Sequence, residues 1–287
     1  MAIMTSTIGL NEHACNTLTA EMIYTAEHVQ PSIHLITRMK FAKGERVKQI
    51  PKVGQATISA LTEGEDLVDS QALGLTYVEA IASEVGAKFI FTDVLAHNLD
   101  TDCMRICGRM LGDGMGRKRE VDIVALYAGC TTTVGGAGKF LSSANIMGVI
   151  SKARASKLRN PLAMVIHPNT YGYVINSALA FGATNYTGIS AGSAPILKDW
   201  GGLTIDGVPM YHSGDISIIS GDDAWGCIFN KGAFAIVEAW SPRVEQERDA
   251  SLRATELVIT SDYVVLEIDS AKSLGMLYDA QEVSHSA

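Results

Sequence analysis

Residues 44–75 place the tightest constraint on what this chain can become. Short β-prone runs alternate there with turn signals. Val47 to Ile50 and Thr57 to Leu61 read as strands, and Glu63-Gly64-Glu65-Asp66 reads as an acidic tip. The stretch predicts a long, solvent-exposed β-hairpin with too few large apolar residues to bury both faces. A free hairpin of this kind is marginal in water. A chain that carries one must hold it against something else, and a neighbouring subunit is the obvious candidate.

The remainder has ample material for a core. Of 287 residues, 47% are hydrophobic and 19% charged, which excludes a disordered chain. No apolar run reaches the roughly 18 residues of a membrane span. The first residues, MAIMTSTIGLNEHACN, lack a basic start followed by an apolar stretch, so no secretory signal is expected. The net charge of −8 argues against a generic nucleic-acid binder held by phosphate contacts. That charge is unevenly spread: residues 1–122 carry −4, residues 123–198 carry +6 without one Asp or Glu, and residues 199–287 carry −10. Such a map points to a surface that packs against an acidic partner surface.

Along the chain, residues 1–43 lack a sustained period and read as an arm, with Met22, Ile23, Ala26, Val29 and Ile33 forming at most one short helix. EVGAKFIF at 84–91 alternates as a strand. Thr92 then caps a helix with Asp93 in its first turn, and Leu95, Leu99, Cys103, Ile106 and Met110 make one apolar stripe. GDGMG at 112–116 is expected to stop it, and DIVALY at 122–127 to follow as a buried strand. A Gly-rich loop at 129–140, a helix at 142–157, a buried strand at 161–168 and a helix at 169–179 come next. A hairpin turning at Asp206-Gly207, a strand-turn-strand over 226–240 and two further β-prone runs over 243–268, read as edges of one sheet, complete the pattern. The order predicts an α+β fold in which 76–120 packs against the returning strands and 121–237 is an inserted lobe.

Motifs for chemistry fail on inspection. GISAG at 188–192 offers Ser190 as a nucleophile, but no helix follows it, and only His212 and His285 lie downstream. GGAGKF at 135–140 lacks both the first Gly and the Ser or Thr of a phosphate loop, and GDGMGRK follows a helix rather than a strand. The five cysteines, Cys15, Cys103, Cys107, Cys130 and Cys227, are odd in number and widely spaced, and read as reduced thiols. Cys103 and Cys107 share a helix face near His97, but a structural zinc site needs four ligands, so small buried apolar side chains are the better reading. No catalytic residue, cofactor site or metal site is assigned.

The element order resembles the major capsid proteins of tailed bacteriophages. IPKVGQATISALTEGEDL is similar to the family's extended loop, LAMVIHPNTYGYVIN to its strand, His-Pro, helix passage, and GGLTIDGVPMYHSGDI to the hairpin that follows. The resemblance implies an amino arm at 1–43, an extended hairpin loop at 44–75 and a peripheral domain at 76–120 with 238–275. It also implies a spine helix at 92–115, an axial domain at 121–237 and a tail at 276–287. It implies a structural protein, not an enzyme, that assembles with itself as hexamers and pentamers into an icosahedral shell around double-stranded DNA. The genome would be enclosed without sequence-specific contacts. Portal, scaffolding and decoration proteins are implied partners, with the scaffold separate or unnecessary because no long amino-terminal scaffolding segment is seen. Assembly would take place in the host cytoplasm, without membrane or cofactor. An encapsulin-like compartment shell shares the implied fold, and a Ser190 hydrolase is the alternative from another class.

The same resemblance marks assembly residues. The family lays its loop over the neighbouring peripheral domain, so Glu63, Glu65 and Asp66 are expected near Arg243, Arg248 and Arg253 of an adjacent subunit. Its axial lobes converge around a symmetry axis, so the basic helix carrying Lys152, Arg154, Lys157 and Arg159 needs acids opposite. Asp199, Asp206, Asp215, Asp222 and Asp223 are nearest in sequence, with Lys152 and Arg154 set against Asp222 and Asp223.

Overall fold

The computed structural model describes residues 30–54, 56, 58, 60, 63–64, 74–94, 101–184, 203–219 and 221–282. Its elements run α1 (Ser32–Leu35), β1 (Thr37–Lys40), β2 (Val47–Val53), β3 (Leu75–Ile81), β4 (Ser83–Thr92) and α2 (Thr101–Ala125). A 3-10 turn (Leu126–Gly129), β5 (Thr133–Gly135), α3 (Ser143–Ala155), β6 (Leu162–Ile166) and α4 (Pro168–Thr184) follow. Then come β7 (Leu203–Ile205), β8 (Val208–His212), β9 (Asp223–Asn230), β10 (Phe234–Asp249), β11 (Ala254–Glu267) and β12 (Ser273–Asp279). One sheet has the order β1-β10-β11-β4, a second has β5-β12-β9-β6-β8-β7, and β2-β3 stand as a separate pair.

The helix α2 runs through the predicted stop. Gly112 and Gly114 each cost a helix about 1 kcal/mol relative to Ala. Against this, Leu111, Met115 and Ile123 recur every four or eight residues on one face and are buried, each contributing about 2 kcal/mol. Burial outweighs the glycines, and the helix continues to Ala125. The strand expected at 122–127 is therefore the last helical turn and the 3-10 turn. Tyr127 ends this stripe in an aromatic cluster, 5.9 Å from Phe229 and 5.8 Å from Phe234 between ring centroids.

The root of the presumed arm is core. Ser32 and Ile36 are buried, and β1 pairs in parallel with β10 from Thr37↔Ala235 to Lys40↔Glu238. The buried Glu120 carboxylate of α2 accepts from the amides of Ser32 (3.2 Å) and Ile33 (3.3 Å), fastening this root to the long helix. Burial raises the Glu120 pKa, with Ser32 and Ile33 opposing that rise.

The six-stranded sheet carries α3 on it. Ser142 caps α3 by accepting from the Asn145 amide, and Ile146, Val149, Ile150 and Ala153 form its buried face as their spacing predicts. Asp206 and Gly207 both take positive φ, which makes the tight turn between β7 and β8. The tail expected from 276 is instead β12, paired with β9 and β5 and burying Leu274, Met276 and Tyr278. Of the two returning runs read as edges, β11 is inner, lying between β10 and β4, whereas β10, paired with β11 from Phe234↔Glu267 to Asp249↔Ala254, is covered by β1 only as far as Glu238.

Candidate assembly surface

The hairpin exists, with its second strand later than the sequence places it. β2 pairs with β3 from Val47↔Ile81 to Val53↔Leu75, and the Gly54 amide donates to the Gly74 carbonyl, so 75–81 takes the role expected of 57–61. Period-two geometry sends Val47, Pro51 and Val53 with Ile81, Tyr77 and Leu75 to one face. That face is open: Val53 is 55%, Tyr77 57% and Ile81 58% exposed. Its one polar rung is Gln49 Nε2 donating to Glu79 Oε1 at 3.1 Å. The opposite face is anchored, with Ile50 and Ala80 buried against Val237 and Leu266. Lys52 Nζ lies 2.5 Å from Asp269 Oδ1. Burial works against the Asp269 carboxylate, but Lys52, the Ala271 amide and Lys272 together hold its pKa below the usual value. The hairpin is thus rooted on one side and presents six apolar residues on the other, four of them adjacent at its outer end and two beyond the Gln49-Glu79 rung, a patch of the kind that marks an interaction face.

A second extended element is the outer half of β10. β1 covers β10 only to Glu238, and register shifts fall at Glu238, Trp240 and Arg243. Beyond them, 239–248 is exposed with one backbone edge free of any described strand. Charges at Arg243, Glu245, Glu247 and Arg248 protect that edge from indiscriminate pairing. Arg243 Nε lies 3.2 Å from Glu245 Oε1, and its guanidinium sits 5.5 Å from the Trp240 ring centroid. Arg248 grips Asp93 with both terminal guanidinium nitrogens, one of them at 2.8 Å. That Arg248 bond, against a small burial cost, holds the Asp93 pKa below its ordinary value. Arg253 takes a left-handed turn conformation, and its carbonyl accepts from the Asp93 amide at 2.9 Å.

These contacts sort the expected residues. Arg243, Arg248 and Arg253 lie on β10 and its following turn, and Arg248 already has an acidic partner within the chain. Glu63 is exposed and meets none of the three among the described residues, while Glu65 and Asp66 lie outside the described residues. Asp93, which sequence reasoning assigned to a helix dipole, is the partner of Arg248 across 155 positions, and no local signal announces it.

The basic helix meets one of the five acids named for it. Lys152 and Arg154 are exposed on α3. Arg154 reaches the turn of β7-β8, with its Nη1 2.5 Å from Asp206 Oδ2 and its Nη2 donating to the Asp206 carbonyl at 3.0 Å. Asp223 is engaged elsewhere: it is buried and its carboxylate accepts from the Gly138 amide at 2.8 Å, tying down the Gly-rich loop. Asp222 is exposed, and its backbone carbonyl, not its carboxylate, accepts from the Ala280 amide at 2.6 Å at the end of β12. The Gly-rich loop bends by positive φ at Gly135, Gly136 and Gly138, a backbone task that accounts for its glycines.

Among the described residues no three potential metal ligands cluster, and no helix is long and apolar enough to cross a membrane. Ser190, His97 and His285 lie outside the described residues, as do the side chains of Cys103 and Cys107.

No family model matches the sequence, and no curated protein does. Solved structures do match. The capsid of a native GTA particle is 12% identical at a TM-score of 0.70, covering 97% of this chain and 100% of that one. The head of Helicobacter pylori bacteriophage KHP40 is 13% identical at 0.69, covering 93% and 98%. The capsid of cyanophage P-SCSP1u is 15% identical at 0.66, covering 92% of each. At such identities the likeness is one of fold, and it extends over almost the whole of each chain.

Proposed function

We propose that this chain, which has the α+β fold of phage capsid proteins, is itself a major capsid protein: a structural, non-enzymatic subunit that builds an icosahedral shell from pentamers and hexamers around packaged double-stranded DNA. The observation that carries this reading is the open face of the hairpin. Val47, Pro51, Val53, Leu75, Tyr77 and Ile81 lie on one face of a rooted, two-stranded element that the described residues of one subunit leave uncovered. A shell supplies the missing cover from the next copy.

In this reading the four-stranded sheet with α2 is the peripheral domain, and the six-stranded sheet with α3 and α4 is the axial domain. The hairpin lies over a neighbour's peripheral domain, with its acidic tip at Glu63, Glu65 and Asp66 near that neighbour's Arg243 and Arg253. The chain's overall negative charge keeps the wall from adhering to DNA. Assembly takes place in the host cytoplasm, and portal, scaffolding and decoration proteins are the further partners this role implies.

Negative-stain microscopy of the purified protein tests it. Closed shells or five- and six-membered rings are expected. A compact monomer at every concentration and salt tested, with no particles, would overturn it.

A further inference from the structure

We propose that Cys130 and Cys227 are an oxidation site: when a peroxide reaches the folded subunit, the two thiols join as a disulfide that fastens the end of α2 to the six-stranded sheet. They are 97 positions apart in sequence, yet both are buried and their Sγ atoms lie 3.7 Å apart. Cys130 follows the 3-10 turn after α2, and its amide donates to the Tyr127 carbonyl. Cys227 lies in β9, directly opposite Gly275 of β12.

Gly275 makes the meeting possible. A Cβ there would lie 3.1 Å from the Tyr127 carbonyl oxygen and 3.2 Å from the Cys130 Cβ. Without one, Cys130 lies down on β12 next to the strand that carries Cys227. Forming the bond requires the sulfurs to close to about 2.05 Å, a displacement within reach of side-chain rotation and a small backbone adjustment.

The two thiols differ in readiness. The hydrogen bond from Cys227, against the cost of burial, lowers the Cys130 pKa, while burial raises that of Cys227. Cys130 is also flanked by exposed Gly129 and Thr131. Cys130 is therefore the attacking group. Its thiolate takes one peroxide oxygen as the O–O bond breaks, leaving a sulfenic acid and a hydroxide that leaves as water with the proton the Cys130 thiol gave up. The Cys227 thiol then attacks the Cys130 sulfur, the S–O bond breaks, and the departing hydroxide leaves as water with the Cys227 proton. Each cysteine gives up one electron, and the peroxide becomes two waters. This does not depend on the capsid reading, although a particle leaving a reducing cytosol is where such an oxidant would be met.

The test uses the full chain, treated with hydrogen peroxide, denatured, alkylated with iodoacetamide and weighed intact. The wild type should lose about 2 Da before alkylation and take up three labels rather than the five its cysteines allow. A reductant should restore all five. Digestion should yield one cross-linked peptide joining Cys130 to Cys227, absent from Cys130→Ser, Cys130→Ala and Cys227→Ser. Five labels after peroxide, a link between other cysteines, or oxygen added at Cys130 without a link would overturn the proposal.

Discussion

One strand holds both kinds of structure in this molecule. Phe234 to Val237, at the start of β10, are buried between β1 and β11, with Phe234 on Tyr127 and Phe229. A few residues on, Trp240 is 41% exposed and the strand continues to Asp249 without a described neighbour on its outer side. The inner half is specified by what one chain buries. The outer half pairs with β11 on one side only and, like the open face of β2-β3, is left exposed by the described residues of its own chain. The lesson is that burial within the subunit and shape of the subunit are set by different residues here, so they should fail separately.

Substitutions can pull the two apart. Phe234→Ala should do the most damage, costing the subunit about 3–5 kcal/mol, visible as a collapsed thermal melt or insoluble protein before assembly is ever tested. Tyr77→Ala with Ile81→Ala, or deletion of residues 58–68, should leave the melt within about 1 kcal/mol of wild type while assembled particles are largely lost in light scattering. If either change unfolds the subunit, the hairpin belongs to the core and the contrast is wrong. Trp240→Ala should come next, with stability changed by less than about 0.5 kcal/mol and assembly weakened by about 2 kcal/mol per contact.

Charged contacts come lower in the order. Arg154→Glu should cost the subunit no more than about 1 kcal/mol, and adding Asp206→Asn, which keeps the left-handed turn and removes the like charge, should recover part of it. Pairing the reversal with Asp222→Lys and Asp223→Lys should recover none of this subunit stability, because neither acid meets the helix among the described residues of one subunit and Asp223 holds the Gly138 amide. The smallest effect belongs to Asp93→Asn. The Asp93 pKa is depressed in the folded state by Arg248, so its contribution is present above the carboxylate's unfolded pKa of about 4 and is lost as pH falls through the folded value. The variant and the wild type should therefore differ slightly at neutral pH and converge in acid.

Much of the fold could be read from local sequence. The stripe of Ile146, Val149, Ile150 and Ala153 marked α3, and Asp206-Gly207 marked the β7-β8 turn. Reading failed where tertiary burial overrode a local signal. GDGMG looked like a stop because glycine's helix cost is local, whereas the burial of Leu111, Met115 and Ile123 that outweighs it is not. β12 looked like a tail because its two neighbours are β9, some 50 residues earlier, and β5, some 140 earlier. The assembly residues were less legible still. An ion pair such as Asp93 with Arg248, or a thiol pair such as Cys130 with Cys227, depends on the completed sheets and leaves no mark in spacing.

Hydrogen exchange, compared between dissociated subunits and assembled particles, tests the central claim most directly. Amides of 75–81 and 240–249 should exchange at least tenfold more slowly in particles, while those of 234–237 stay equally protected in both. Equal exchange of the hairpin and the outer half of β10 in the two states would contradict the claim that a neighbouring copy covers them.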